Sequence, residues 1–129
     1  MIICGDVLEH LRDPLKALRF LTSYLSERGF FLISVPNIAF ISIRLSLLLG
    51  KFDYNPDGGI LDETHLRFFT RKSLVDLLKR AGLKIIFIRG YNIVRPRFFF
   101  LKFLGWLFTT LFSIQFLVKA EKNEKSSYK

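Results

Sequence analysis

Asp6, Glu9 and His10 stand at positions i, i+3 and i+4 within the stretch ICGDVLEHLRDP, residues 3–14. If the segment after Gly5 turns helically, all three side chains project from one face. Two carboxylates and an imidazole converging in that way offer oxygen and nitrogen ligands to a hard or borderline divalent ion. His10 is also a candidate general base near neutral pH. The same spacing has an architectural explanation. Asp6-x-x-Glu9 is a capping-box-like pattern in which each side chain satisfies an orphan backbone donor. Spacing alone favours that cap over a metal, with His10 bonded to a neighbouring main chain. A second polar centre is DETHLRFFT, residues 62–70, where Asp62, Glu63, Thr64, His65 and Arg67 precede a helix. The chain has two histidines, both beside carboxylates, so a shared site is one expectation. The other is that His65 and Arg67 brace a loop against the domain.

The elements that must position these groups follow from the apolar periodicity. MIIC reads as the end of a buried strand running into Gly5. Asp13–Pro14 is a helix start, since Asp caps and Pro suits the first helical position. Leu15, Leu18, Leu21 and Leu25 then recur at helical spacing, widened by Ala17 and Tyr24, until Gly29 ends the run. FFLISV, residues 30–35, is a buried-type strand stopped by Pro36. Residues 38–50 are long enough for a helix ending at Gly50, and 51–64 form a loop carrying Pro56 and Asp57–Gly58–Gly59. Thr70 caps a helix with Leu74, Leu77, Leu78 and Ala81 on its apolar face, closed by Gly82. KIIFIR, 84–89, is a further strand. After Pro96 an apolar run of bilayer length follows, read as a helix over 96–111; SIQFLVKA then has strand character, and 121–129 is a polar tail. Strands alternating with helices specify an α/β sheet, in which ligands sit beyond the carboxyl ends of the strands. GDVLEH lies at one such end and VPN at the next.

Composition bounds the class. Half of the 129 residues are apolar and 16% are aromatic, so the chain is globular over most of its length. Its one Cys, Cys4, excludes an internal disulfide and an all-cysteine metal cluster. Asp6 and Glu9 arrive too early for a signal peptide, which points to a cytoplasmic location. Twenty Lys and Arg against eleven Asp and Glu give a net charge of +9. That balance attracts phosphates, nucleic acid or an anionic membrane, but the basic residues form no tract and match no nucleic-acid-binding signature. They are read as solvated faces, and nucleic acid is not expected as a partner.

The ordered set DVLEHLRDPLKALRFLTSYLSERGFFLISVPN and GILDETHLRFFTRKSLVDLLKRAGLKI closely resembles the class I S-adenosylmethionine-dependent methyltransferases, with the ubiquinone-biosynthesis-like subgroup nearest. The resemblance runs from about Ile2 to Ile88, and FSIQFLVKAEK is similar to that family's last strand. It implies a partial Rossmann-like sheet comprising strands four to seven of seven, with helices on both faces, in residues 1–120. The family's glycine-rich cofactor loop has no counterpart in this sequence, so an N-terminal half that would carry most cofactor contacts is expected as a missing partner. By resemblance Cys4, Gly5 and Asp6 flank the methionine end of S-adenosylmethionine, while Leu8, Glu9 and His10 face the acceptor. Segment 38–66 corresponds to an acceptor-side insertion. Ubiquinone-type O-methyltransferases and small-RNA 2′-O-methyltransferases carry Glu-x-x-Glu-His, to which Asp6, Glu9 and His10 are similar with Asp in first place; His65 in HLRFFTR matches a later histidine of the RNA group. The resemblance thus implies a divalent cation such as Mg²⁺ on Asp6, Glu9, His10 and His65.

The expected chemistry is methyl transfer to a hydroxyl of a small-molecule, lipid-linked or sugar acceptor. His10 and Glu9 are the catalytic candidates, and Asn37, His65 and Arg67 lie on the substrate side. Two alternatives are a protein that contacts membranes peripherally through 96–118 and a non-catalytic partner that completes another chain's sheet through an open edge.

Overall fold

The structure is a computed structural model, and it describes residues 1–91 and 109–123. Chain order is β1 (Ile2–Gly5), a 3₁₀ turn (Leu8–His10), α1 (Pro14–Ser23), β2 (Phe30–Pro36), α2 (Ile41–Leu48), α3 (Arg71–Arg80), β3 (Leu83–Tyr91), α4 (Thr109–Phe112) and β4 (Gln115–Lys122). The strands form one mixed sheet in the order β1-β2-β4-β3. β1 runs parallel to β2, and β4 inserts antiparallel between β2 and β3.

Side chains alternate across this sheet, as pleating requires. Register aligns Cys4 with Ile33, Phe31 with Ala120, Ile33 with Val118 and Val35 with Phe116. All of these are buried and form a single core with Leu18 of α1 and Leu74, Leu77 and Leu78 of α3. Each such fully buried aliphatic side chain contributes roughly 1.5–3 kcal/mol over an exposed one. Among the described residues the opposite face is thinly covered. Ile3 and Leu117 on it are exposed, while Lys119 lies over the Phe30 ring and Arg89 over the Phe87 ring. Helices were expected on both faces; among the described helices, α1 and α3 pack together in the core on one face.

The starts of the helices follow local chemistry. The Asp13 side chain accepts from the Lys16 N–H with Pro14 at the first position, and Thr70 and Ser73 form a capping box for α3. Gly50 and Gly82 take positive φ just past α2 and α3. α1, expected to run to Gly29, ends at Ser23. The Thr22 hydroxyl bonds the Leu18 carbonyl and the Ser23 hydroxyl bonds the Phe20 carbonyl, so local polar groups compete with the helical ladder there. Leu25 is buried in the following loop and Tyr24 is exposed.

Strand ends run past their expected limits. β3 extends to Tyr91 with an irregularity between Ile85 and Phe87, and β4 pairs through Lys122, the second residue of the polar segment. Most of the apolar helix expected over 96–111 lies outside the described residues, and α4 accounts for its end. Residues 115–118, the end of the stretch expected to contact membranes peripherally, are paired on both sides in β4. No helix among the described residues is long and apolar enough to cross a membrane.

Candidate functional site

β1 delivers Asp6 into the site at φ +52°, the one non-glycine residue with positive φ among those described. Aspartate tolerates this left-handed conformation better than most residues. The Asp6 N–H donates to both the carbonyl and the hydroxyl of Ser34, each at 3.1 Å. Its Oδ1 accepts from Gln115 Nε2 at 2.6 Å and from the Ser34 hydroxyl at 3.2 Å. The capping-box explanation for Asp6 therefore does not hold. The 3₁₀ turn is capped by Val7 without any side-chain bond, and the Asp6 carboxylate turns to the neighbouring strands instead. Leu8, fully buried in the core, anchors the turn from below.

The second polar centre folds onto this turn through the main chain. The Glu9 carbonyl accepts from the N–H groups of Leu66 and Arg67 at 2.8 and 2.9 Å. Arg67 donates from Nε and Nη2 to the Arg12 carbonyl. His10 Nδ1 lies 3.2 Å from both the carbonyl and the hydroxyl of Thr64, and His65 Nδ1 lies 3.1 Å from the Ile60 carbonyl. A carbonyl only accepts, so both Nδ1 atoms carry the proton and, in the neutral rings, both Nε2 atoms hold a free lone pair. The two rings meet edge to face with centroids 4.8 Å apart.

Glu9 lies beside them, 1% exposed. Neither of its carboxylate oxygens has a hydrogen-bond partner. Burial pushes its pKa upward, with the nearby Asp6 charge adding to that; the main chain and the two histidines pull the other way. One ligand atom from each of Glu9, His10 and His65 falls within 4.8 Å of the others. A buried carboxylate with no donor is costly unless it is protonated or meets a cation. At the mouth, Thr64 donates its hydroxyl and N–H to Asp62, holding that carboxyl below its ordinary value.

These groups line a cavity of about 320 Å³, walled by Asp6, Glu9, His10, Asp62, His65 and Gln115 with Pro36, Gly59, Ile60 and Ile114. It opens where β1 and β2 end, as α/β topology demands. Asp6 lines the cavity without joining the three-residue ligand group. Cys4 points into the core, its thiol pKa raised by burial, so its side chain is not a cavity group. Asn37, expected on the substrate side, is fully buried, donating from Nδ2 to the carbonyls of Thr110 and Ser113 and accepting the Ala39 N–H. Arg67 likewise braces Arg12 rather than facing the cavity. Gln115 is a cavity residue outside the expected set, and its signal in the sequence is a polar residue interrupting an apolar run.

A family model described as Methyltransferase domain matches residues 1–87. No curated protein matches the chain. Solved structures do. A SAM-dependent methyltransferase from Archaeoglobus fulgidus aligns at a TM-score of 0.59 and 16% identity, covering 94% of this chain and 58% of its own. The small RNA methyltransferase HEN1 aligns at 0.59 and 16%, covering 95% and 13%. An S-adenosylmethionine-dependent methyltransferase from Mesorhizobium loti aligns at 0.57 and 14%, covering 93% and 60%. Likenesses at such identity concern the fold, and the chain spans less than two thirds of each of these structures.

Proposed function

This chain belongs to the methyltransferase-domain family, and from that premise we propose that it forms the acceptor side of an S-adenosylmethionine-dependent O-methyltransferase. The acceptor is a hydroxyl of a small-molecule, lipid-linked or sugar compound. One observation carries the reading: an unpartnered, buried Glu9 carboxylate beside two imidazoles whose Nδ1 atoms are tied to carbonyls, at the carboxyl ends of parallel strands. The strand order β1-β2-β4-β3 with one reversed inner strand supports equating these four with strands four, five, seven and six of the family sheet. On that equation strands one to three, with the glycine-rich loop, are supplied by further polypeptide.

When bound, S-adenosylmethionine supplies an electrophilic methyl group on a sulfonium. The chain's own residues orient the acceptor and manage its proton. With Nδ1 donating to Thr64, His10 presents Nε2 as the acceptor for the hydroxyl proton. Ile60 fixes the second imidazole in the same way. Asp6, clamped by Ser34 and Gln115, holds a negative charge at the β1 tip. Pro36, Ile60 and Ile114 supply apolar wall that keeps water from the reacting atoms.

The donor set also fits a divalent ion. Glu9, His10 and His65 would hold it, and it would lower the pKa of the acceptor hydroxyl. Two imidazoles and one carboxylate suit a transition-metal ion such as Mn²⁺, which takes imidazole nitrogen more readily, better than Mg²⁺. Carbonyl-anchored Nδ1 atoms are the usual outer support of ligating histidines.

The test is a chimaera in which strands one to three of a solved relative precede residue 1, assayed with labelled S-adenosylmethionine and a panel of hydroxyl and amine acceptors. Methyl transfer to hydroxyls is expected, stimulated by Mn²⁺, and Glu9→Gln should lower it about a hundredfold and abolish the stimulation. Transfer confined to amines would remove the hydroxyl assignment, and indifference to Mn²⁺ would leave His10 acting alone.

A further inference from the structure

The cavity of Asp6, Glu9 and Asp62 has a basic counterpart. An open cleft of about 500 Å³, sharing no wall residue with that cavity, carries Arg44, Arg71 and Lys72 with Asp76 as its one carboxylate. Composition read the basic residues as solvated faces, yet the fold gathers these three from α2 and α3. Part of the wall is fixed from beneath. Buried Asn37 accepts the Ala39 N–H and donates to the Thr110 carbonyl, and Ala39 and Thr110 both line the cleft. The Ala39 carbonyl in turn accepts from Arg44 Nε at 2.7 Å. That bond orients the guanidinium and leaves its two Nη groups without a partner among the described residues. Arg71 and Lys72 make no side-chain hydrogen bond there, and neither the three cations nor Asp76 joins an ion pair.

We propose that this cleft binds a dianionic phosphate monoester through Arg44, Arg71 and Lys72. A cleft lined by one sign of charge concentrates counter-ions of the other, and the charge count selects the class. Three cations against one carboxylate leave two positive charges unmatched. A phosphomonoester carries about −1.5 to −2 at pH 7, whereas a carboxylate or a phosphodiester brings a single charge and leaves one cation over. The side chains suit the same group. Guanidinium forks pair with phosphate oxygens two at a time, and lysine adds a point charge. The first cavity repels such an anion, because Asp6, Glu9 and Asp62 stand on its walls. The two sites are therefore of opposite sign, and the phosphate site does not depend on the acceptor reading.

The experiment titrates the full chain with methyl phosphate, dimethyl phosphate and acetate at neutral pH and constant ionic strength, followed by ¹H–¹⁵N NMR. Methyl phosphate should shift the Arg44 Nε–H and the main-chain amides of Arg71 and Lys72, leaving the ring resonances of His10 and His65 in place. It should bind about tenfold more tightly than dimethyl phosphate or acetate, the worth of one further charge-assisted hydrogen bond. Arg71→Gln should weaken methyl phosphate about tenfold on the same ground, and Arg44→Gln should do likewise. Should either variant unfold, as circular dichroism would show, the other decides together with the wild-type preference. Equal affinity for methyl and dimethyl phosphate, shifts at the two histidines instead of the cleft, or indifference to both substitutions overturns the site. Vesicles of phosphatidylglycerol, whose phosphate is a diester, tell a lipid source from a soluble one. Cleft shifts produced by those vesicles and not by methyl phosphate likewise overturn the monoester assignment.

Discussion

The Thr64 hydroxyl and N–H reach the same oxygen of Asp62, at 2.6 and 2.8 Å, and both bonds favour the ionised carboxyl. They are the leading causes of its lowered pKa, with smaller contributions from the His65 and His10 charges. A carboxyl whose native pKa is depressed stabilises the fold above the ordinary value of 3.8, and that contribution disappears as pH falls through the lowered one. In Thr64→Val the hydroxyl bond goes and the N–H bond stays. The Asp62 carboxyl should then titrate closer to 3.8 in a ¹³C-detected NMR titration, and an unchanged titration would show that the hydroxyl does not set it. Residue types and spacing made Glu9, His10 and His65 legible, because carboxylate and imidazole are scarce and chemically distinctive. Partners were not legible. Asn37 and Arg67 looked substrate-facing because their side chains suit ligands, yet each bonds main-chain carbonyls 55–76 positions away. Every residue has a carbonyl, so no pattern of side chains announces such a partner.

Elements were readable where chain-local chemistry decides them. Thr70, the leucines of α3 and Gly82 specified that helix almost to the residue, because caps and stripes act within a few positions. α1 was overextended by six residues' worth of pattern: Leu25 continues the apolar spacing but is buried by the turn into β2. The insertion of β4 between β2 and β3 is a long-range pairing for which local spacing holds no signal. The α3 capping box has a measurable weight. The Thr70 hydroxyl accepts the Ser73 N–H, and the Ser73 hydroxyl accepts the Thr70 N–H. Thr70→Ala should cost about 1 kcal/mol, lowering Tm by roughly 4 °C in thermal denaturation, while Thr70→Ser should cost much less. Equal losses in both variants would mean that packing of the threonine methyl, and not the cap, is what matters.

At the scale of the whole molecule the sheet is asymmetric. β2 and β4 are paired on both sides, whereas β1 pairs with β2 alone and forms an outer edge among the described strands. Ile3 there is 64% exposed and Met1 67%. Parallel strands are normally buried on both faces, and a bare apolar edge is a template for another chain. Charge does not guard it, because the four residues of β1 are Ile2, Ile3, Cys4 and Gly5. The net charge of +9 resists association only at long range, where salt screens it over about 8 Å. The full chain should therefore self-associate with rising concentration, and more so as salt is raised. Ile3→Lys places a charge on that edge without touching the core, since Ile3 faces away from the buried Cys4. This variant should shift light-scattering mass towards that of a monomer at 150 mM salt while leaving the far-ultraviolet circular dichroism unchanged, salt of that strength being about the physiological value. Persistence of the oligomer in Ile3→Lys would move the contact elsewhere. The exposed leucines of α2 would then be the next surface to charge, with Leu48→Lys as the deciding variant.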